Sequence, residues 1–135
     1  MTKILFAYDG SDQARRALRY AERLGAGDSV IVLTVHNKLI EAPATEAFTD
    51  PTEDPARLTA GLEEVRETMG DAGVGAEFVS VVGNPAEEIL NNADSHDVEL
   101  IVLGRQGMGA VKRFLLGSVA DRVVEHAGCD VLVVK

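Results

Sequence analysis

Short apolar runs alternate with segments of helical periodicity from one end of this chain to the other, and few folds tolerate that pattern. The runs are Lys3–Tyr8, Val30–Val35, Glu77–Val82, Leu100–Leu103 and Asp130–Val134, mostly rich in Val, Ile or Leu. Four of them are nearly continuous in apolar character, as a strand buried on both faces must be. The third, Glu77-Phe78-Val79-Ser80-Val81-Val82, is interrupted by polar residues and reads as an edge. Strands separated by helices make a parallel sheet covered on both faces. Right-handed crossovers then give an open five-stranded α/β sheet in the order 3-2-1-4-5. With 135 residues, the chain forms one domain.

The helices follow from spacing and from their end signals. Helix one, about Ser11 to Leu24, repeats Ala14, Ala17, Leu18, Ala21 and Leu24 on one face. Its opposite face carries Arg15, Arg16, Arg19 and Arg23, read as a solvated charge row. Helix two, roughly Ala56 to Ala72, turns Leu58, Leu62, Val65 and Met69 inward. Helix three opens on Asn84-Pro85-Ala86-Glu87, which supplies an N-cap, a proline at the first helical position and a capping-box acid. Helix four begins near Ser118, turns Val119, Val123, Val124 and Ala127 inward, and ends before Gly128. The stretch Asn37 to Asp54 holds two prolines, five acids and no periodicity, and reads as a long surface loop.

Charge narrows the function classes. Twenty-two acidic against 13 basic residues give a net charge of −9, which disfavours general attraction to nucleic acid or anionic lipid. No apolar run approaches the ~20 residues that span a bilayer, and no signal segment opens the chain, so a cytoplasmic location is expected. Cys129 is the single cysteine and reads as a small buried residue without thiol chemistry. His36, His96 and His126 share no spacing, and neither a metal site nor a Ser-His-Asp arrangement assembles from them.

In this topology the winding reverses between strands one and four, and ligands bind at the carboxyl ends of those strands. Strand one ends in Tyr8-Asp9-Gly10-Ser11. Strand four runs into Gly104-Arg105-Gln106-Gly107, and after nine further residues comes Gly117-Ser118. Glycines let backbone amides approach a ligand, and Gly117-Ser118 offers the free amides of helix four to an anion. Ser118 with Asp121 also fits an ordinary capping box, and both roles can coexist. From Gly104 to Ala120 there are three basic residues, Arg105, Lys112 and Arg113, and no acid. That local charge of +3 favours a phosphate cradle. The Walker pattern fails because Ala110 follows Gly109, and the dinucleotide pattern fails because Lys112 stands at its third glycine.

Three segments together are distinctive: Ile4-Leu5-Phe6-Ala7-Tyr8-Asp9-Gly10-Ser11, Gly83-Asn84-Pro85, and the G-x2-G-x9-G-S stretch followed by Val119-Ala120. They resemble the universal stress protein family, in its ATP-binding branch, over the whole chain and in order. The resemblance implies an adenine nucleotide alpha hydrolase-like fold and an ATP site, with ADP or AMP as alternatives and Mg²⁺ held by the phosphates. It sets Ala7 and Asp9 against the adenosine and brings the backbone of Val35 to the adenine. Leu103, Gly104, Gln106 and Gly107 line the ribose and phosphates, beside the basic Arg105, and Gly117, Ser118, Val119 and Ala120 close over the phosphates. Two positions depart from the pattern: Ala120 lacks a hydroxyl that some members have, and Ala7 stands where some have proline. Asp9 has two readings, a hydrogen-bond acceptor for the nucleoside or a cap for helix one, although Ser11 lies closer to the helix start.

The expected function is a cytoplasmic, ATP-dependent stress-response sensor or partner-binding module. The alternative is a slow adenine-nucleotide hydrolase, since no general base or nucleophile is evident beside the γ-phosphate. A phospho-receiver of similar winding is disfavoured because strand three ends in Gly83 where that fold needs an acid. Strand five, Val131-Leu132-Val133-Val134, is an edge with apolar residues on both faces and no protecting charge or proline, so a homodimer through it is expected.

Overall fold

The structure, a computed structural model, describes residues 2–25, 27, 29–37, 55–71, 75–105 and 116–135. In chain order the elements are β1 (Lys3–Ala7), α1 (Asp12–Gly25), β2 (Ser29–Asn37), α2 (Pro55–Asp71), β3 (Gly75–Gly83), α3 (Pro85–Ser95), β4 (Leu100–Gly104), α4 (Ser118–His126) and β5 (Asp130–Val134). The five strands form one sheet in the order β3-β2-β1-β4-β5, and every pairing is parallel. Both the α/β class and the order agree with the pattern of the sequence.

Alternation along β1 divides the core in two. Ile4, Phe6 and Tyr8 face α1 and α2, where they meet Ala14, Ala17, Leu18, Val65 and Met69. Leu5 faces the other way, with Ala7 packed alongside, against Ala86, Ile89 and Ala93 of α3 and Ala120 and Val123 of α4. Ile4, Leu5 and Phe6 are fully buried, so a strand with both faces covered reads as an unbroken apolar run. On the edge strand β3, exposed positions alternate with half-buried ones, which accounts for its broken apolar character.

Differences from the expected elements are local. Strands β2 and β3 each extend to nine residues and pair in register from Ser29–Gly75 to Asn37–Gly83. Helix α2 starts at Pro55, where the missing amide hydrogen costs nothing in a first turn. Leu58 and Leu24 are not described at the side-chain level, and residues 38–54 of the expected long loop lie outside the described residues. Val124 of α4 is 47% exposed, not inward. Ala120, Val123 and Ala127 supply the packed stripe, and one more residue of helical rotation carries Val124 past it. Cys129 is half-buried, and burial pushes its thiol pKa up, in keeping with an inert packing role. Among the described residues no helix is long and apolar enough to cross a membrane.

Candidate functional site

The chain reverses its winding direction between β1 and β4. Helices α1 and α2 lie on one face and α3 and α4 on the other, so the carboxyl ends of these two strands open into a crevice. Tyr8 leaves the strand but still donates its amide to the Leu33 carbonyl at 2.9 Å. Counting on from the pairs Ala7–Leu33 and Phe6–Val102, Asp9 comes level with Val35 on one side and Arg105 on the other. The candidate residues Ala7, Asp9, Val35, Leu103, Gly104 and Arg105 therefore share one edge of the sheet.

The turn after β1 is built from its own polar groups. Gly10 takes φ 82°, a left-handed conformation that favours glycine. Asp9 Oδ1 accepts the Ser11 amide at 2.9 Å, and the buried Ser11 Oγ accepts the Ala14 amide at 3.1 Å. Ser11 is thus the N-cap of α1, and Asp9 fixes the turn while remaining exposed at the crevice. Asp9 does not cap α1, since Ser11 does, and its bond to the Ser11 amide uses only Oδ1.

Gly104 answers a packing demand. A Cβ there would come within 2.9 Å of the Gln13 Cβ and 3.4 Å of the Ala14 amide nitrogen, so its small size lets α1 cross the end of β4. Leu103 is 4% exposed and belongs to the core, which leaves its backbone to face the crevice. Ala120, at 2%, is likewise a core side chain. Ala7, Val35 and Val119 are half-buried against the same core.

Two backbone bonds hold the glycine motif to the sheet. Arg105 donates its amide to the Val134 carbonyl at 2.7 Å, and Gly117 donates to the Arg105 carbonyl at 2.8 Å. The chain thus returns to the end of β4 after residues 106–115, and α4 starts there. Gln106, Gly107, Lys112 and Arg113 lie outside the described residues.

The start of α4 corrects the expectation for Ser118. Gly117 is the N-cap, with φ −61° and ψ 158°, and no side chain caps the helix. Ser118 is the first helical residue and is exposed. The Asp121 amide closes the first turn on the Gly117 carbonyl, and the amides of Ser118, Val119 and Ala120 have no partner among the described residues. Glycine is an adequate N-cap because its backbone reaches the extended conformation without a side-chain penalty. Gly117 also need not supply a left-handed turn, since its φ is one that any residue adopts.

One further donor is orphaned here. Arg105 Nε is buried and has no hydrogen-bond partner among the described residues, a state that costs about 1–3 kcal/mol until an acceptor arrives. Three amides without a partner among the described residues, at the positive end of a helix dipole, fit an anion. The histidines lie apart: His36 Nε2 is 2.9 Å from Ser80 Oγ, His96 Nδ1 is 2.9 Å from the Asn92 carbonyl, and His126 is exposed. Among the described residues no group of three His, Cys, Asp or Glu is placed to hold a metal ion.

The sequence leaves two readings of this helix start, free amides offered by Gly117-Ser118 or a capping box of Ser118 and Asp121, and the structure removes the second. The signal that favours the first is the residue before Ser118: a glycine at the N-cap leaves the first-turn amides uncovered.

Comparisons with known proteins agree with this fold. A universal stress protein of Thermus aquaticus is 38% identical over 136 residues, covering 98% of this chain and 97% of that one. Among solved structures, MJ0577 of Methanocaldococcus jannaschii superposes with a TM-score of 0.81 at 32% identity, over 99% of this chain and 95% of that one. A universal stress protein in complex with cAMP gives a TM-score of 0.73 at 28% identity, covering 99% and 96% of the two chains. One from Archaeoglobus fulgidus in complex with dAMP gives 0.68 at 29%, covering 100% and 98%. The model of the universal stress protein family matches residues 1–135. With its winding, its glycine-spaced helix start and its full-length match all in agreement, the chain belongs to the universal stress protein family.

Proposed function

We propose that this protein binds ATP in the crevice between β1 and β4 and works as a nucleotide-dependent stress-response module in the cytoplasm. The observation that carries the reading is the uncapped start of α4, held beside Arg105 by the bond from Gly117 to the Arg105 carbonyl. Phosphates take the amides of Ser118, Val119 and Ala120, with Arg105 as a further donor and Mg²⁺ riding on the phosphate oxygens. The backbones of Leu103 and Gly104 border the ribose, Asp9 accepts from the nucleoside, and the adenine lies at Val35 and Ala7. Gln106 and Gly107 complete the phosphate side. That two family members were solved with cAMP and dAMP supports an adenine nucleotide as the ligand.

The chain acts as one domain over residues 1–135, and two copies pair through β5, the outer strand at one end of the sheet. Slow hydrolysis is the competing activity. Titration calorimetry with ATP and Mg²⁺ tests the reading: ATP and ADP bind, AMP binds more weakly because it loses contacts at α4, and GTP binds more weakly because its base edge differs at Val35. Absence of heat with millimolar ATP overturns it. Steady-state phosphate release on the same sample separates holding from hydrolysis.

A further inference from the structure

Helix α1 and strand β5 border a groove of about 570 Å³ on the opposite face of the sheet from α3 and α4. One wall carries Arg16, Arg19 and Arg23, and the floor runs along β5 from Leu132 to Lys135. Three features separate this groove from an ordinary solvated charge row.

First, the cations have no ion-pair partner among the described residues. Elsewhere Arg15 pairs with Glu64 at 2.9 Å, Arg122 with Glu87 at 3.6 Å, Arg66 stacks over the Phe78 ring at 4.2 Å, and Lys3 donates to the His96 carbonyl. The side chains of Arg16, Arg19, Arg23 and Lys135 have no such partner among the described residues. Second, no acidic residue among the described residues lines the groove, although the chain carries a net charge of −9. Third, the positions are ordered. The three arginines recur at i, i+3 and i+7, which sets them one above another over about 10 Å of helix.

We infer that this groove docks an acidic, amphipathic segment of a partner protein. The arginine row selects carboxylates spaced by about one turn or two strand residues, and planar guanidinium groups hold carboxylates two bonds at a time. Leu132 and Val134 face the same side as α1; Val134 is buried, so the half-buried Leu132 and Tyr20, which is 46% exposed, supply the apolar surface beside the charges. An aliphatic floor suits Leu or Val side chains and gives a polynucleotide no stacking platform. A second copy is a poorer match. On this side of the sheet its own β5 presents Asp130, Leu132 and Val134, one carboxylate for four cations, and it brings an identical arginine row. The arginine wall belongs to α1 and not to the edge of β5. The inference uses no residue of the nucleotide crevice.

The test uses the full chain and three labelled probes in fluorescence anisotropy: a peptide of alternating Glu and Leu, its Lys and Leu counterpart, and a thymidine oligonucleotide. The Glu peptide is expected to bind alone, to weaken as salt rises, and to weaken at least about tenfold with Arg16→Ala/Arg19→Ala/Arg23→Ala. These side chains are exposed on α1, so circular dichroism and ATP titration of the triple variant should match the parent, which keeps a docking failure distinct from a failure of the nucleotide reading. Equal binding of the Lys peptide, tighter binding of the oligonucleotide, or an unchanged affinity in the triple variant each overturns the inference. So does a triple variant that changes only the self-association measured by sedimentation, because the occupant is then a second copy.

Discussion

Helices α3 and α4 lie side by side on one face of the sheet, yet their N-termini are finished in opposite ways. At α3, Asn84 Oδ1 accepts the Glu87 amide at 3.1 Å, and Pro85 has no amide hydrogen to leave unpaired. Glu87 and Glu88 set two carboxylates in the first turn, where the helix dipole favours them. At α4, Gly117 has no side chain to cap with, and the amides of Ser118, Val119 and Ala120 have no partner among the described residues. One start is closed by the chain itself. The other has no partner among the described residues, so under the proposed function the backbone chemistry that serves stability in one helix serves recognition in its neighbour.

The largest effect should come from finishing α4 in the manner of α3. Gly117→Asp places a carboxylate on the open amides, so it satisfies the helix and repels the phosphates. ATP affinity should fall at least about a hundredfold, while thermal stability rises by a few degrees, the equivalent of about 0.5–1 kcal/mol of capping. Calorimetry and a melting curve on one sample check both signs. An affinity that survives together with the stability gain would place the phosphates elsewhere. Gly117→Val should also weaken binding through bulk, with no strain from its backbone, because φ is −61°. Gly107→Val carries the same expectation at a position outside the described residues.

Next comes the support beneath the open end. Gly104→Val puts a Cβ within 2.9 Å of the Gln13 Cβ, so α1 must shift from β4 or Gln13 must yield. A loss of about 1–3 kcal/mol is expected by urea unfolding. ATP should weaken in the same variant, because Arg105, which tethers Gly117, follows directly. A variant as stable as the parent would show that α1 does not press on that glycine.

Asn84→Ala tests the closed end. It removes the Oδ1 acceptor and leaves the Glu87 amide unpaired, which should cost about 1 kcal/mol. ATP affinity should stay the same within error, because α3 starts from the edge strand β3 and not from β4. Equal losses of binding for Asn84→Ala and Gly117→Asp would mean that the two starts do not divide their labour in this way.

The closed start was the more legible one. Asn84-Pro85 with Glu87 is a local signal complete within four residues, and the helix begins where it predicts. The sheet order was legible because burial on both faces makes an unbroken apolar run of β1, while the polar interruptions of β3 mark an edge. What escaped depends on contacts distant in sequence. Gly104 reads as a glycine facing the crevice, and only the structure shows that Gln13 of α1 also presses on it. The solvated row on helix one divides for the same reason, since Arg15 finds Glu64 on α2 and the other arginines find no partner among the described residues. Val124 was placed inward because an apolar residue at i+4 fits a helical stripe, yet a nine-residue helix buries a stripe too narrow to include it.

The smallest effect concerns the link between the two helices. Glu87 was expected to complete a capping box through its carboxylate, but its amide serves the cap and its carboxylate turns to Arg122 of α4 at 3.6 Å. Both side chains are more than half exposed, and the separation exceeds hydrogen-bond length. Such a pair is screened and holds two long side chains in one geometry, so its coupling should be below about 0.5 kcal/mol. A double-mutant cycle with Glu87→Gln and Arg122→Gln, measured by urea unfolding, gives that number, and about 0.5 M salt should erase it. A coupling several times larger and resistant to salt would make this ion pair a structural clamp between α3 and α4. Mutations at the closed start should then alter nucleotide binding at the open one, and the two ends would no longer be independent.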